Sequence, residues 1–141
     1  MTIKEIQEEI IDEFSMFDDW MERYEYIIDL GKSLCLIDEK YKVEQHLIKG
    51  CQSKVWLHSE LDNNNLKLTA DSDAILTKGI VALLLRVFNN QTPQAILEAD
   101  TNFINEIGLK DHLSPTRANG LVSMIKQIKM YALAQQSKLA K

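Results

Sequence analysis

The spacing of apolar residues changes twice along this chain, and this change constrains the fold more than any other sequence feature. Residues 3–31 carry apolar side chains at three- and four-residue steps, the period of amphipathic helices. Residues 53–70 alternate apolar and polar side chains around turn-forming residues 62–65, which predicts a β-hairpin. The helical period returns after residue 71. This order predicts an α+β domain in which several helices pack on a small antiparallel sheet, with residues 43–48 as a candidate third strand.

Capping residues and prolines predict where the helices begin and end. Asp18 or Asp19 can cap a second helix that ends near Gly31. Thr-Pro at 92–93 and Ser-Pro at 114–115 open two later helices. Gly79 lies inside an otherwise apolar helix that follows residue 73. Because a glycine there costs about 1 kcal/mol relative to alanine, we expect this helix to approach a neighbour closely at Gly79.

The chain length and its apolar runs bound the class of protein. The length of 141 residues fits a single domain, residues 1–141, with residues 137–141 as a frayed tail. The N-terminal stretch is acidic and lacks the apolar run of a signal peptide, and residues 80–85 form the longest apolar stretch, too short to span a bilayer. We therefore expect a cytoplasmic protein that does not contact membranes and whose thiols stay reduced.

The charge is unevenly distributed along the sequence. The formal net charge is −5, which argues against a nucleic-acid partner because such binding relies on cations that contact phosphates. Residues 1–70 hold 15 acidic and 8 basic residues, whereas residues 112–141 hold no carboxylate side chain. This asymmetry indicates a protein partner with an electrostatic preference, or simply a solvated basic face on the last helix.

Two cysteines, Cys35 and Cys51, are the residues with the most distinctive chemistry. They are too few for a disulfide scaffold, and no Cys-x-x-Cys pair is present to nucleate a metal site, so we expect no bound metal. Cys51 follows Gly50, which can adopt backbone conformations closed to other residues, and Lys49 and Lys54 flank it with charges that favour a thiolate. The alternative is that Cys51 is a small buried apolar residue. That alternative is favoured for Cys35, which lies between two leucines.

Three kinds of chemistry are open to an exposed Cys51. A papain-like hydrolase would need partners such as His112 and Asn119, but its cysteine usually opens a helix, and Cys51 precedes a strand pattern. A peroxidase or disulfide exchanger would need a resolving thiol, which Cys35 is poorly placed to supply. A thiol that accepts a group and passes it on needs only an exposable cysteine on a loop.

Four motifs resemble those of the SufE family of sulfur acceptors. They occur in the family's order and spacing and cover residues 10–133. The motifs are residues 17–31 (FDDWMERYEYIIDLG), 50–56 (GCQSKVW), 72–74 (SDA) and 108–121 (GLKDHLSPTRANGL).

This resemblance implies a function and a fold. Members of the family accept sulfur from the persulfide of a pyridoxal-phosphate (PLP) cysteine desulfurase, here a SufS-like enzyme, and stimulate it. They then deliver the sulfur to an iron–sulfur scaffold such as a SufBCD-like complex. By resemblance, Cys51 is the acceptor, the protein is a carrier rather than an enzyme, it needs no cofactor of its own, and it shares the IscU-type fold. The alternatives are a CsdE-like paralogue that serves another desulfurase, a stand-alone thiol enzyme, and an adaptor in which Cys51 is inert.

The family motifs also point to residues that support Cys51. Gly50, Gln52 and Ser53 belong to the cysteine motif. We expect Asp73 to cap the central helix and to help hold the cysteine loop. We expect Arg117, at the start of the last helix, to lie near the loop and to steady the thiolate or a carboxylate of the partner.

One stretch departs from the family pattern. Family members often carry Asn-x-Val before the Gly-Cys turn, where this chain has His46, Leu47 and Ile48. His46 could exchange a proton near the thiol, or it could be a hydrogen-bonded structural residue.

Overall fold

The computed structural model describes residues 1–50 and 53–139, apart from the side chains of residues 110 and 139. Its helices and strands confirm the predicted order of helices, hairpin and helices. Two short 3-10 turns precede the hairpin, at Glu39–Tyr41 and Glu44–His46. In chain order the main elements are α1 (Ile3–Ser15), α2 (Trp20–Gly31), β1 (Val55–Asp62), β2 (Asn65–Ser72), α3 (Ile75–Phe88), α4 (Pro93–Glu98), α5 (Phe103–Glu106), α6 (Leu109–His112) and α7 (Pro115–Leu139).

The first two helices begin at capping side chains. The Thr2 hydroxyl accepts the Glu5 backbone N–H, and the Glu5 carboxylate accepts the Thr2 N–H, which together form a capping box at α1. Of the two aspartates proposed for α2, Asp19 is the cap, because its carboxylate accepts the N–H of Glu22 at 2.9 Å. The predicted end of α2 at Gly31 is confirmed.

The hairpin forms one antiparallel ladder from the pair Val55–Ser72 to the pair Asp62–Asn65. Asn63 and Asn64 make the turn, both with positive φ angles of 53° and 68°, as a tight two-residue connection requires. The inward-facing side chains are buried, as the alternation predicts. They are Val55 and Leu57 on β1, and Leu66, Leu68 and Ala70 on β2.

The prediction of a third strand over residues 43–48 is wrong. Residues 44–46 form a 3-10 turn, so they cannot extend a ladder. Only the end of this segment pairs with β1: Leu47 forms a single antiparallel bridge with Trp56, and the Ile48 N–H donates to the Val55 carbonyl at 2.8 Å. The segment thus contacts the hairpin edge at the point where the cysteine motif begins.

Helix α3 is the buried centre of the molecule, and α2 crosses it closely at Gly79. A Cβ atom at Gly79 would lie 2.1 Å from the carbonyl oxygen of Ile27, and one at Gly31 would lie 3.1 Å from the Gly79 nitrogen. The close approach predicted at Gly79 is therefore confirmed. Arg86 links α3 to α1, since its guanidinium donates to Glu13 at 2.8 Å and to Glu9 at 2.6 Å.

Helix α7 packs along the hairpin and α4. The phenol of Tyr131 donates to the Leu57 carbonyl at 3.0 Å, and the Lys129 ammonium donates to the Ala99 carbonyl at 2.8 Å. Residues 137–139 lie in this helix, and residues 140–141 are outside the described part of the chain. Among the described residues, no helix has both the length and the apolar character needed to cross a membrane.

Cys35 is exposed, contrary to the expectation that it packs in the core. The apolar stretch around it contacts β2 edge-on, because the Ala70 N–H donates to the Cys35 carbonyl and the Ile37 N–H donates to the Ala70 carbonyl. Leu34 and Ile37 are buried in the core, whereas Leu36 is 58% exposed. An apolar run of four residues at a sheet edge therefore buries only some of its members.

Candidate functional site

The candidate site is the connection between Ile48 and the start of β1, which contains the predicted acceptor. Cys51 and the motif residue Gln52 lie outside the described residues. The described ends of this connection are held together, because Ile48 N–H donates to the Val55 carbonyl at 2.8 Å. Six residues, 49–54, thus join two backbone positions that are hydrogen-bonded to each other.

Gly50 forms the first side of this connection, and its conformation requires glycine. Its φ angle is +89°, a left-handed value that residues with a Cβ atom rarely adopt. A Cβ atom at this position would also lie 2.8 Å from the Ser123 hydroxyl oxygen on α7. Gly50 therefore adopts the special backbone conformation expected from the sequence, and it does so against a helix surface.

Asp73 holds the second side, although not in the predicted way. Its carboxylate accepts the Lys54 N–H at 3.0 Å, and its own N–H donates to the Lys54 carbonyl at 3.2 Å. The prediction that Asp73 caps the central helix is wrong: the N-cap of α3 is Ala74, without a side-chain cap, because the Asp73 carboxylate is directed to Lys54 instead. Asp73 thus lies at the loop, where its loop-holding role was expected.

Ser53 connects the same side of the loop to α3. The Thr77 hydroxyl, which belongs to a residue only 5% exposed, lies 3.4 Å from the Ser53 hydroxyl and donates to it. This hydrogen bond is long and adds only weakly to the pair between Asp73 and Lys54.

The charges beside the site fall into a paired group and an unpaired group. Asp71 binds Lys42 at 2.7 Å and Lys78 at 3.4 Å. Burial acts to raise the pKa of Asp71, but hydrogen bonds from Lys42 and the Ser72 N–H, with the charge of Lys78, outweigh it and lower the pKa. The hydrogen bond to Asp71 in turn raises the pKa of Lys42.

The two lysines that flank the cysteine motif belong to the unpaired group. Lys49 and Lys54 are exposed, and neither forms an ion pair with another described residue. Their charges therefore remain available to an anion at the loop, as the sequence predicts for a thiolate.

His46 is half-buried in an aromatic cluster beside β1. Its ring meets Tyr41 and His58 edge-on, with ring centroids 5.3 and 5.1 Å apart, while Tyr41 and His58 stack at 3.7 Å. Its Nδ1 atom is buried and has no hydrogen-bond partner among residues 1–50 and 53–139. The ring is thus packed and makes one long hydrogen bond, between its Nε2 atom and the Gln45 side-chain amide at 3.4 Å, which fits the structural alternative, and a proton-exchange role for His46 stays a prediction.

Arg117 and Ser123 show how α7 approaches the loop. Arg117 is exposed in the first turn of α7, where its backbone N–H donates to the Ser114 hydroxyl at 3.3 Å. Ser123 lies six residues further on, about 9 Å along the helix axis, and it is the side chain against Gly50. The described contacts thus bring Ser123 to the loop, and the proximity predicted for Arg117 stays a prediction.

Ser123 was not predicted from the sequence. Its hydroxyl donates to the Asn119 carbonyl at 3.1 Å, one helical turn earlier. An isolated polar residue such as Ser123 in a long helix gives no pattern that points to a loop about 70 residues away, so only the tertiary structure identifies it.

A groove lies between the segment that precedes the loop and α7. We call it the loop groove; its volume is about 820 Å³, and Lys49 and Ser123 form the part nearest Gly50. Its lining residues are Val43, Glu44, Gln45, Leu47, Ile48 and Lys49 on one wall, and Ser123, Lys126, Gln127 and Met130 on the other. Among the described residues, no group of three or more His, Cys, Asp or Glu side chains is arranged to hold a metal ion.

The fold is shared with a solved structure of low sequence identity. A solution structure of a hypothetical protein from Thermus thermophilus matches with a TM-score of 0.78. The match covers 94% of this chain and 96% of that chain, with 17% sequence identity. This likeness confirms the predicted α+β fold of a small antiparallel sheet packed by helices.

The sequence comparisons identify the family. The family model described as "SufE: Fe-S metabolism associated domain" matches residues 8–132. An uncharacterized SufE-like protein of Rhizobium meliloti (strain 1021) is 40% identical over 130 residues, which cover 89% of this chain and 93% of that protein. A second, of Rhizobium etli, is 38% identical over 127 residues, 86% of each chain. The chain therefore belongs to the SufE family, and the predicted resemblance is confirmed.

Membership of this family links the chain to iron–sulfur metabolism and to sulfur transfer. It also implies a cysteine desulfurase as a partner.

Proposed function

We propose that this protein is a persulfide carrier whose acceptor is Cys51. It takes sulfur from a PLP-dependent, SufS-like cysteine desulfurase, raises the turnover of that enzyme, and passes the sulfur to a SufBCD-like iron–sulfur scaffold in the cytoplasm. The PLP belongs to the desulfurase, and the carrier itself is not an enzyme and needs no cofactor. The observation that carries the proposal is the family match over residues 8–132, which includes Cys51 directly after Gly50 in the sequence.

The proposed transfer is a displacement at sulfur. The Cys51 thiolate attacks the outer sulfur of the desulfurase persulfide and forms a new S–S bond. The original S–S bond breaks, and the desulfurase cysteine leaves as a thiolate with the electron pair. Cys51 becomes a persulfide, and no external oxidant or reductant is consumed. Because the thiolate is the reacting form, the charges of Lys49 and Lys54, which form no ion pair with other described residues, favour the attack.

The described ends of the loop support this role. The Ile48–Val55 hydrogen bond, the left-handed Gly50 and the Asp73–Lys54 pair fix both sides of a short connection whose flanking residues 49, 50 and 54 are exposed. A donor group on another protein can therefore approach the exposed residues 49, 50 and 54 without rearrangement of the core. In the proposal, Gln52 and Ser53 complete the loop, and the exposed Arg117 contacts a carboxylate of the partner.

Mass spectrometry tests the proposal directly. The protein is incubated with cysteine and a catalytic amount of desulfurase, without reductant, and then digested. We expect a mass gain of about 32 Da, one sulfur atom, on the peptide that contains Cys51. Cys35→Ser is the matched control, since Cys35 is an exposed thiol outside the loop. It should leave the gain and the stimulation intact, whereas Cys51→Ser should abolish both and still bind the desulfurase.

Each rival function gives a different result in the same experiments. Full stimulation by Cys51→Ser, or by protein alkylated at Cys51, would indicate an adaptor and reject the carrier. Turnover of a peptide or peroxide substrate without any partner would indicate a stand-alone thiol enzyme. A larger stimulation of a second, non-SufS desulfurase would indicate a CsdE-like paralogue.

A further inference from the structure

Helix α7 exposes an apolar stripe that the fold does not cover. Val122, Met130 and Leu133 are 47%, 55% and 55% exposed, well above the buried residues of the opposite face. At about 100° per residue, these positions and the two lysines at 126 and 129 fall within a sector of about 100°. We call these five residues the α7 stripe. Large apolar side chains that share one helix face with cations are typical of a surface that binds a partner.

The α7 stripe is the ridge between two grooves. Lys126 and Met130 line the loop groove on one side. The same two residues also line a second groove of about 660 Å³, between α7 and residues 97–105, in which Val122 and Leu133 take part. The loop groove reaches the loop of residues 49–54, here called the acceptor loop, at Ser123 and Lys49. A protein that engages the loop therefore lies next to the stripe.

The charge of the surface indicates the chemistry of its occupant. The α7 stripe carries Lys126 and Lys129, and the sequence holds no carboxylate side chain from residue 112 to 141. The acidic residues that line the grooves, Glu44 and Asp100, lie on other segments. An acidic segment with apolar side chains thus complements the stripe, in the manner of a helix bound in a groove.

A second copy of the chain is a poor occupant. Its acidic amphipathic helix is α1, and the apolar side chains of α1 at Ile3, Ile10 and Phe14 are buried in the core. That helix can offer the stripe its carboxylates but not an apolar face.

We infer that the α7 stripe and its two grooves bind an acidic, amphipathic segment of the cysteine desulfurase. The inference rests on the proposed function, because the continuity of the loop groove with the acceptor loop selects the desulfurase as the partner. The stripe supplies affinity and orientation, and it takes no part in the displacement at sulfur.

The test measures affinity separately from transfer. Binding of purified desulfurase is measured by calorimetry in the Cys51→Ser background, and sulfur transfer is measured by mass in the wild-type background. Leu133→Glu and Lys126→Glu should each weaken binding by about tenfold or more, while transfer at saturating carrier is unchanged. Met16→Glu is the matched control, since Met16 is 71% exposed at the end of α1, and it should stay within about twofold of wild type.

Salt dependence adds a second readout. Wild-type affinity should fall as salt rises from about 0.05 to 0.3 M, and Lys126→Glu should flatten this dependence. If Leu133→Glu lowers the melting temperature, the desulfurase affinity of Lys126→Glu alone tests the inference, because this variant changes only an exposed charge.

The outcomes separate the two proposals. Unchanged affinity of both stripe variants, with normal transfer, overturns this inference and leaves the carrier function standing. Stripe-dependent binding without any persulfide on Cys51 overturns the carrier function instead. The choice of occupant is overturned if the stripe variants keep their desulfurase affinity but lose self-association in ultracentrifugation. It is also overturned if they keep that affinity but lose binding to anionic phospholipid vesicles.

Discussion

Gly50→Ala tests whether the left-handed turn at the loop is required. The substitution adds one methyl group at a residue whose φ angle is +89°. It also places that methyl 2.8 Å from the Ser123 hydroxyl oxygen, closer than such atoms normally approach, while the Ser123 Cβ atom lies at an ordinary 3.7 Å. The change therefore combines a backbone penalty with a steric one, and the two can be separated.

The structure allows both penalties to be given a magnitude. A left-handed conformation costs an alanine about 1–2 kcal/mol relative to glycine. Relief of the contact requires the Ser123 hydroxyl to leave the Asn119 carbonyl, which costs about 1 kcal/mol. We therefore expect Gly50→Ala to lower the free energy of unfolding by about 2–3 kcal/mol in total, which corresponds to a fall in melting temperature of about 5–10 °C for a chain of this size.

A double-mutant cycle with Ser123→Ala separates the two terms. Removal of the hydroxyl eliminates the close contact and leaves the backbone penalty, so Gly50→Ala should cost about 1 kcal/mol less in the Ser123→Ala background. Urea unfolding measures the free energy of unfolding of each variant. The rate of persulfide formation on Cys51 measures how far each variant disturbs the function of the loop. Equal costs in the two backgrounds would refute the contact with α7, and no cost in either would refute the left-handed turn.

Three further predictions concern the loop and the core. Asp73→Ala should slow sulfur transfer, because it removes an acceptor from the end of the loop, whereas Asp73→Asn keeps an acceptor oxygen and most of the rate. Asp73→Ala and the Asp19→Ala cap variant should each lower the free energy of unfolding by about 1 kcal/mol, but Asp19→Ala should have no effect on transfer in single-turnover assays. Gly79→Ala should lower the urea midpoint by the equivalent of about 3 kcal/mol, because its methyl would meet an α2 carbonyl at 2.1 Å. A hydrogen bond from Arg86 lowers the pKa of Glu13, so its stabilisation is present at neutral pH and is lost as pH falls through that lowered pKa; the stability gap between wild type and Glu13→Gln should therefore shrink below about pH 4.

The elements that the sequence predicts well are those specified by neighbouring residues. The hairpin follows from strict alternation and a run of turn-forming residues, of which Asn63 and Asn64 adopt the positive φ angles of the turn. The helix starts follow from caps such as Asp19, whose carboxylate acts within three residues. Gly79 is predicted because an isolated glycine in an apolar helix needs a packing reason.

The features that escape sequence prediction depend on contacts between distant segments. Asp73 is suited to cap α3, but its carboxylate instead accepts the backbone N–H of Lys54, 19 residues earlier. Cys35 lies in an apolar run, but the edge of β2 decides which members of the run face the core. Ser123 reaches the loop through the packing of α7, and no local pattern marks it.

Exposure of a thiol does not by itself identify the acceptor, because Cys35 is exposed and is not the proposed acceptor. The charges near the two cysteines differ. Arg86 lines the pocket that contains Cys35, and it is engaged by carboxylates of α1 at 2.6 and 2.8 Å, so its charge is largely neutralised. Lys49 and Lys54, which flank Cys51 in sequence, form no ion pair with other described residues. Since an unpaired cation favours a thiolate, local charge rather than exposure favours Cys51 as the proposed acceptor.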